Sequence, residues 1–340
     1  MIRRIIFVCL ALICVSGPAF GQEGAVLQIS PDLRATGMGM AEAVLSTSPF
    51  AAWGNPAGLG FADGIQVSFS AEEPSPLDFI ENDMHWYGSA SASLGSRAVP
   101  LTVNLNYNHL VYDWPWEGSR NRDRQIARGG ALAFRFLPTL SAGVGLKFYD
   151  RDCEFCQSET SGHAFDFGLL FSYDATPIQV GVALNNIGPD VTVKSGFEGA
   201  TPEWKSTLPE TFRASVGTGF DHGGTASFLL KNETVPLISL AASIGGEKLL
   251  SGDIPDSVVS RLPYLVRHEV ILYGGLEVKT LEFLAARVGY VHDEGGHIKD
   301  FTWGLGLSFL KYGGVDFSSR PLCCDFARRS RFGGWVAVPF

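Results

Sequence analysis

Four cysteines are spaced so that they could bind a metal ion or form disulfides. Cys153 and Cys156 are separated by two residues, and Cys323 and Cys324 are adjacent. Two such pairs could supply the four thiolates of a zinc site. Both pairs fall in segments that the strand pattern below predicts to be long external loops, on a face open to oxidation, where disulfides are favoured. We therefore expect disulfides within or between the pairs and no bound metal.

The histidines and acidic residues form no recognisable catalytic site. His292 and His297 share one segment with Asp293, Glu294 and Asp300, but no His-Glu-x-x-His spacing fixes their geometry. The chain also lacks the Gly-x-Ser-x-Gly turn that presents a nucleophilic serine. We predict a protein without enzymatic activity and without a cofactor.

A glycine-rich run, residues 35–61, raises the question of phosphate binding. The run is rich in alanine as well and is nearly free of charge. No Gly-Lys-Ser/Thr follows it and no strand precedes it, as phosphate-binding loops require, so we reject that interpretation. Its most specific elements, with the arginine before it, are Arg34, Gly37, Met38 and Gly39, followed by Asn55, Pro56, Ala57, Gly58 and Leu59.

Tryptophan and arginine are concentrated in residues 113–125, which we predict to be an external loop. Both side chains are enriched at the hot spots of protein interfaces. Tryptophan also marks the level of the lipid headgroups in membrane proteins. The sequence leaves a partner-binding loop and a membrane-interface segment as equal alternatives. The residues concerned are Trp114, Trp116, Arg120, Arg122 and Arg124.

Alternation of apolar and polar residues predicts a chain made mainly of strands. The sequence is 46% hydrophobic with 40 glycines, and only 18% of it is charged, which suits sheets better than helices. Period-two alternation, as in residues 101–112 and 301–309, is the signal for a strand. We predict fourteen strands, near residues 65–71, 84–95, 99–112, 126–136, 140–150, 162–174, 177–187, 210–220, 224–232, 267–278, 281–291, 301–310, 312–319 and 331–340.

Short and long connections alternate between these strands along the whole chain. Short ones fall at residues 96–98, 137–139, 175–176 and 221–223. Outer-membrane β-barrels have this asymmetry, with short periplasmic turns and long external loops. A soluble β-sandwich, the alternative for many short strands, has no reason to sort its loops by side. We predict an all-β, antiparallel transmembrane barrel, whose last strand ends in Phe340 and resembles the signal that the barrel assembly machinery recognises.

Residues 1–21 have the features of a secretory signal peptide. Two arginines precede an apolar run too short to span a bilayer, and the small residues Ala19 and Gly21 stand at the cleavage site. Cleavage after Gly21 leaves 24 basic and 35 acidic residues. An acidic chain without a basic tract is a poor ligand for nucleic acid. We expect a protein of the bacterial outer membrane, in contact with its lipid, and no nucleic-acid partner.

Residues 22–62 precede the first predicted strand and are too irregular for a lipid-facing one. Apolar polypeptide of this kind at membrane depth must be buried in protein or line a cavity, and a fourteen-stranded barrel is wide enough to need filling. We therefore predict a plug at 22–62 inside a barrel formed by 63–340. The polar residues predicted by strand parity to face the plug are Asn104, Asn106, Asn108, Asp166, Ser172, Thr302 and Ser308.

The run Arg34 to Phe61, RATGMGMAEAVLSTSPFAAWGNPAGLGF, resembles the start of the PorV/PorQ family of outer-membrane barrels. Members of that family are similar to FadL-type transporters, which also have fourteen strands, a plug and an Asn-Pro-Ala motif. Met38-Gly39 and Asn55-Pro56-Ala57-Gly58-Leu59 are the specific part of the match. The resemblance extends over most of the mature chain, through LNNIGPDV (184–191), LPETFRASVG (208–217), RVGY (287–290) and GLGLSF (304–309).

The resemblance implies two functions of different classes. A PorV-type member would bind secreted proteins by their C-terminal sorting domains and shuttle them to surface attachment in type IX secretion, with the components of that system as partners. A FadL-like member would instead pass hydrophobic small molecules across the outer membrane. The N-terminal motif favours the PorV type, and a structural barrel with neither role is a third alternative.

Overall fold

The computed structural model describes the greater part of the chain. Within the described residues, no helix is long and apolar enough to cross a bilayer. The described residues are 23–45, 48–62, 64–72, 82–96, 99–116, 119–154, 157–173, 177–195, 203–227, 234–250, 270–293, 298–309, 312–321 and 328–339.

Fourteen antiparallel strands form a closed barrel. Each pairs with its neighbours in chain order, and the ring closes where β1 pairs with β16, from Ile65 opposite Val338 to Glu72 opposite Arg331. The strands are β1 Ile65–Glu72, β2 Asn82–Ser96, β3 Val99–Trp116, β4 Ser119–Leu137, β5 Leu140–Cys153, β6 Ser158–Tyr173, β7 Ile178–Ile187, β10 Thr211–Ser227, β11 Thr234–Leu249, β12 Val270–Thr280, β13 Leu284–Asp293, β14 Ile298–Ser308, β15 Gly313–Pro321 and β16 Arg328–Val338. The predicted antiparallel barrel of fourteen strands is confirmed.

Two further strands form a hairpin outside the ring. β8 (Val191–Ser195) pairs with the first residues of β6, and β9 (Glu203–Ser206) pairs with β8. The sequence pattern placed this whole region in a long loop. Val191 and Val193 do alternate with Thr192 and Lys194, but a run of five residues is close to the shortest that gives a period-two signal.

The outward face of the barrel wall is apolar. On β14, Phe301, Trp303 and Leu305 are exposed, whereas Thr302 between them is buried. Exposed Leu, Val, Ile or Phe side chains recur on each of the fourteen strands. A closed barrel satisfies its backbone hydrogen bonds internally, so it can present such a face to hydrocarbon. The short turns at 138–139 and 281–283 lie at the end where the chain enters β1, which in outer-membrane barrels is the periplasmic end.

One predicted strand is misplaced. The sequence predicts a turn at 221–223 followed by a strand at 224–232, but β10 continues to Ser227 and the next strand is β11. The Asp-His-Gly-Gly stretch from residue 221 is a strong turn signal. In the structure a register shift between His222 and Thr225 absorbs these residues as a bulge within a long hairpin. The strand count survives because β11 replaces the misplaced strand.

The residues before β1 form short helices. They are α1 Ala25–Gln28, α2 Leu33–Gly37, α3 Glu42–Leu45, α4 Ala51–Gly54 and a 3-10 helix, Pro56–Phe61. Asp32 caps α2, since its side chain accepts a hydrogen bond from Ala35 N, and Pro56 stands at the first position of the 3-10 helix, where its missing N–H costs nothing. Helices this short are not stable alone, so the surrounding wall must hold them.

Candidate functional site

The N-terminal segment, defined here as residues 23–62, lies within the ring of strands. Gly24 N donates a hydrogen bond to the hydroxyl of Tyr149 on β5 (3.1 Å), and Gly39 N donates to Thr302 Oγ1 on β14 (3.0 Å). β5 and β14 are seven strands apart in a ring of fourteen, so they stand on opposite sides. The segment therefore crosses the lumen from wall to wall.

Inward-facing polar side chains bind the backbone of this segment. Asn108 Nδ2 donates to Val26 O (3.2 Å), and Asn104 Nδ2 donates to Pro49 O (3.5 Å). The inward orientation predicted for these asparagines from strand parity is confirmed, because Asn104 and Asn108 are both almost fully buried. They replace the water that a free peptide would bind, as buried backbone groups require.

Asn55 joins three parts of the structure. Its Nδ2 donates to Ala43 O within the segment (2.7 Å) and to Leu169 O on β6 (3.2 Å). Its Oδ1 accepts a hydrogen bond from Ala57 N (3.1 Å) and so caps the 3-10 helix that begins at Pro56. A buried amide with all these partners is satisfied on both its atoms. The geometry explains why an asparagine precedes the Pro-Ala pair.

Glycines of the wall allow the backbone of the segment to approach closely. A Cβ built on Gly168 of β6 would overlap Asn55 Oδ1, and one on Gly181 of β7 would overlap Ala43 O. Three other wall glycines meet the segment in the same way, namely Gly143, Gly275 and Gly289. The wall and the segment are therefore matched at the level of backbone contact, which a larger side chain would prevent.

Gly39 is restricted to glycine by both conformation and space. Its φ is 76°, in the left-handed region that favours glycine. A Cβ at this position would lie 2.6 Å from Gly274 O and 2.9 Å from Tyr290 O. The Gly37-Met38-Gly39 element is thus a docking element against β12 to β14, and Met38 beside it is fully buried.

Gly168→Ala should weaken the packing of Asn55 against β6. The added methyl group overlaps Asn55 Oδ1, and such overpacking costs about 1–3 kcal/mol. We expect limited proteolysis to cut the N-terminal segment faster than in the wild-type protein. Gly88→Ala is the matched control, because a Cβ there meets no atom within 4 Å. Equal cleavage rates for the two variants would contradict the proposed fit.

Charged side chains of the wall anchor the segment at several points. Arg34 donates through Nη2 to Glu277 Oε1 on β12 (2.8 Å) and through Nη1 to Leu45 O (2.9 Å). Arg287 on β13 shares Glu277 and continues the ion pair to Asp316 on β15. Arg34 thus links two parts of the segment to a charge network that crosses four strands.

A second anchor joins α3 to β10. Arg213 Nη1 lies 2.9 Å from Glu42 Oε2, and its Nε lies 2.8 Å from Glu247 Oε2 on β11. Burial raises the pKa of the Glu42 carboxyl to about 7, and the positive charge of Arg213 opposes that rise. Without the charge of Arg213, the Glu42 carboxyl would favour its protonated form more strongly at neutral pH.

The third anchor is a fully buried lysine beside the Asn55 motif. Lys147 Nζ of β5 lies 2.8 Å from Asp166 Oδ2 and 3.1 Å from Asn186 Oδ1. It also lies 4.2 Å from the centroid of the Trp53 ring, in a cation–π contact. Buried charges are tolerated when they are paired in this way, so Lys147 holds α4 against the wall.

An apolar cluster fills the space between the segment and one side of the wall. Phe50 and Trp53 each pack with Tyr87 of β2, at a centroid distance of 5.7 Å in both pairs. The other members are Val26, Leu27, Leu33, Leu110, Ala127, Tyr149, Ala164, Val191 and Leu208. These apolar contacts contribute burial, and the Tyr149 hydroxyl at the edge of the cluster also binds the segment through Gly24 N.

Among the residues singled out from the sequence, the N-terminal motif forms one unit. Arg34, Gly37, Met38, Gly39 and Asn55 all contact the wall as described. Pro56, Ala57, Gly58 and Leu59 are buried in the 3-10 helix against β3 to β6.

The loop predicted at residues 113–125 does not exist as a loop. β3 continues to Trp116 and β4 begins at Ser119, so the two strands extend well past the predicted boundary. Arg122 Nε pairs with Asp113 Oδ1 across them (2.9 Å), which supports the extension. Arg122 and Arg124 are exposed; the side chains of Trp114, Trp116 and Arg120 lie outside the described residues.

Of the four candidate disulfide cysteines, the structure describes one. Cys153 ends β5 and is disulfide-bonded. Cys156, Cys323 and Cys324 lie outside the described residues. Across the residues that are described, no group of three or more His, Cys, Asp or Glu side chains is placed to hold a metal ion.

Sequence reasoning missed most of the charged wall residues. Lys147, Arg213, Glu277 and Arg287 were not singled out, although each is buried and faces inward. Each stands between two apolar or small residues, as Lys147 stands between Leu146 and Phe148. They could have been recognised as charged residues at positions of an alternating strand that face the lumen.

Two cavities were found next to these elements. One, of about 250 Å³, lies on the outer side of β4 to β8 and is lined mainly by charged and polar residues, including Arg124, Asp150 and Lys194. The other, of about 150 Å³, lies between the segment and β12 to β16. Neither is a continuous apolar passage from the external end of the barrel to the segment.

Comparison with known proteins establishes the fold. No protein-family model and no curated protein sequence matches the chain. The solved structure of the Pseudomonas putida toluene transporter TodX aligns with a TM-score of 0.53 and 13% identity over 92% of this chain and 100% of that one. CymD, a monoaromatic hydrocarbon channel, aligns with a TM-score of 0.52 and 12% identity over 93% and 99%. The fold is that of FadL-like outer-membrane barrels.

Proposed function

We propose that the protein passes small hydrophobic molecules across the outer membrane, with the N-terminal segment as a plug that must shift to open the lumen. The observation that carries this proposal is the apolar cluster between the segment and β2 to β6. Solved barrels of the same fold are a toluene transporter and a monoaromatic hydrocarbon channel. No catalytic chemistry is needed for this role.

The contacts of the segment differ in kind between the two sides of the lumen. Towards β12 to β14 it is held by hydrogen bonds and by the Arg34 ion pair. Towards β2 and β3, Asn104 and Asn108 bind its backbone, but its larger side chains rest mainly on apolar neighbours. Apolar packing offers a hydrophobic molecule a surface equivalent to the one it would displace. A solute of this kind can therefore wedge between Phe50 and Tyr87 with little loss of contact.

Uptake by whole cells tests the proposal. An outer membrane with an intact lipopolysaccharide leaflet resists hydrocarbons, so a bacterial host that lacks hydrocarbon channels of its own is the appropriate background. We expect radiolabelled toluene to enter cells expressing the protein faster than cells carrying the empty vector. Sucrose, a polar solute, should enter both at the same rate. Equal toluene entry in the two strains would sink the proposal.

We also propose, as a second candidate, a PorV-type role in carrying secreted proteins. Its support is the sequence resemblance over Arg34 to Phe61 and the further stretches to residue 309. The test is co-purification of the native barrel from a host that contains type IX components. Recovery of proteins with C-terminal sorting domains, together with no gain in toluene entry, would favour this candidate over hydrocarbon passage.

A further inference from the structure

A cavity of about 150 Å³ lies at the periplasmic end of the lumen, between the N-terminal segment and β12 to β16. Lys279, on its wall, directly precedes the short turn at 281–283. Ser308, also on its wall, donates its backbone N–H to Phe283 O in that turn (2.7 Å). A molecule that had passed the segment would meet this cavity on its way out of the barrel.

One side of the cavity is apolar and partly aromatic. Leu33, Leu45 and Phe50 come from the segment, and Trp335 comes from β16. A cavity of about 150 Å³ is the size that holds one benzene molecule in an engineered protein core. The volume therefore accommodates a single six-membered ring and excludes a long acyl chain. Phe50 and Trp335 offer such a ring aromatic partners.

The cavity also contains a cation that makes no direct contact with a carboxylate of the described residues, although the charges of Glu277 and Glu282 act on it. Two of its three basic side chains are engaged, since Arg34 binds Glu277 and Arg287 binds Glu277 and Asp316. Lys279 makes no hydrogen bond or ion pair with any of the residues that the structure describes. An ammonium group held at the edge of an aromatic cavity favours an anion as its partner.

The acidic side chains of the cavity limit where that anion can lie. Asp32 Oδ1 accepts a hydrogen bond from Ala35 N, and Asp316 is paired with Arg287. Both carboxylates are therefore already bound by donors, but they still repel a second negative charge. Glu277, which is paired with Arg34 and Arg287, and Glu282 are the other acidic groups near Lys279. The anionic group of a ligand must lie on the Lys279 side of the cavity, with its ring towards Phe50 and Trp335.

We propose that this cavity is a binding site for small monocyclic aromatic carboxylates, with Lys279 binding the carboxylate. The proposal deepens the proposed function, on which it rests, by assigning the lumen an exit site for acidic aromatic compounds. It accounts for a feature that neutral hydrocarbons do not explain, namely a lysine facing a cavity of ring size. A neutral hydrocarbon would leave that ammonium group without a partner and partly desolvated.

Calorimetric titration of the full chain in detergent micelles tests this site, with benzoate as the probe. We expect saturable benzoate binding that Lys279→Met weakens by about tenfold or more, the effect of losing one charge-assisted contact. Lys279→Arg should retain binding because it keeps the charge. Lys299→Met, on β14 near the opposite end of the barrel, is the matched control and should bind benzoate as the wild type does.

Benzyl alcohol, the neutral counterpart of benzoate, provides the second measurement. We expect it to bind more weakly than benzoate and to be indifferent to Lys279→Met. Benzoate binding that survives Lys279→Met, or equal affinity for the two compounds, overturns the site. If toluene still enters cells but benzoate does not bind, the carboxylate site is wrong and the proposed function stands. If benzoate binds through Lys279 but the barrel does not admit toluene, the proposed function is wrong and the carboxylate site stands.

Discussion

Lys147→Met should release the N-terminal segment and raise the ion conductance of the barrel in planar bilayers. The substitution removes the cation that lies between Asp166 and the Trp53 ring, and leaves the Asp166 carboxylate buried without its partner. Breaking a buried ion pair by removing one member costs about 3–5 kcal/mol. The ion pair itself joins the wall strands β5 and β6; the segment loses the contact of Lys147 with the Trp53 ring and the hydrogen bond from Lys147 Nζ to Trp53 O (3.5 Å).

The pair of Lys147 and Asp166 also provides its own control. In the double variant Lys147→Met with Asp166→Asn, no charge is left unpaired, and the asparagine oxygen can still accept the hydrogen bond from Asn186 N. We expect this variant to recover most of the lost stability and much of the low conductance. Lys205→Met, an exposed lysine on β9, should behave as the wild type does. Unchanged conductance in Lys147→Met would show that Lys147 does not hold the segment.

Glu72→Gln should destabilise the seam where the barrel closes. Glu72 ends β1 and is bound by Arg320 of β15 (3.3 Å) and by Arg329 (3.0 Å) and Arg331 of β16. Its loss leaves three arginines crowded around a neutral amide at the junction of the first and last strands. We expect a loss of about 3–5 kcal/mol in the free energy of unfolding, measured by urea titration in micelles.

His85 adds further hydrogen bonds at this seam. Its Nδ1 accepts a hydrogen bond from Arg331 Nη2 (2.8 Å), and its Nε2 is 2.7 Å from Asn108 Oδ1. These partners require the neutral tautomer with the proton on Nε2. Asn108 in turn binds Val26, so the seam is connected to the N-terminal segment. Glu159→Gln, at an exposed position on β6, is the control for Glu72→Gln. A urea midpoint for Glu72→Gln that matches this control would contradict the role of the seam.

The barrel could be predicted from the sequence because strand parity and loop length are local properties. Thirteen of the fourteen predicted strands each correspond to a separate strand of the ring. The exception, at 224–232, followed a glycine pair that a bulge absorbed. The sequence pattern also ends β3 at residue 112 and begins β4 at residue 126, whereas β3 extends to Trp116 and β4 begins at Ser119. Trp114, Pro115 and Trp116 do not alternate in polarity, and only their pairing with β4 makes them strand residues.

The candidate site could be predicted only in part. Asn55 and Gly39 were recognised as specific elements, but the groups that bind them were not. Leu169 O, which accepts from Asn55, lies 114 residues away in the chain, and Thr302, which binds Gly39, lies 263 residues away. Partners at such separations are brought together only by closure of the ring.

The sequence by itself determined that this chain is a strand-rich protein with an apolar outer face, since alternation with period two is written into each strand separately. Only the tertiary structure decided which inward residues meet. Closure of the ring places Lys147, Arg213 and Glu277 around the N-terminal segment, and it leaves Lys279 facing a cavity beside Trp335. The physical reason is that parity states which face a side chain occupies, whereas the register and closure of the barrel determine what lies opposite it.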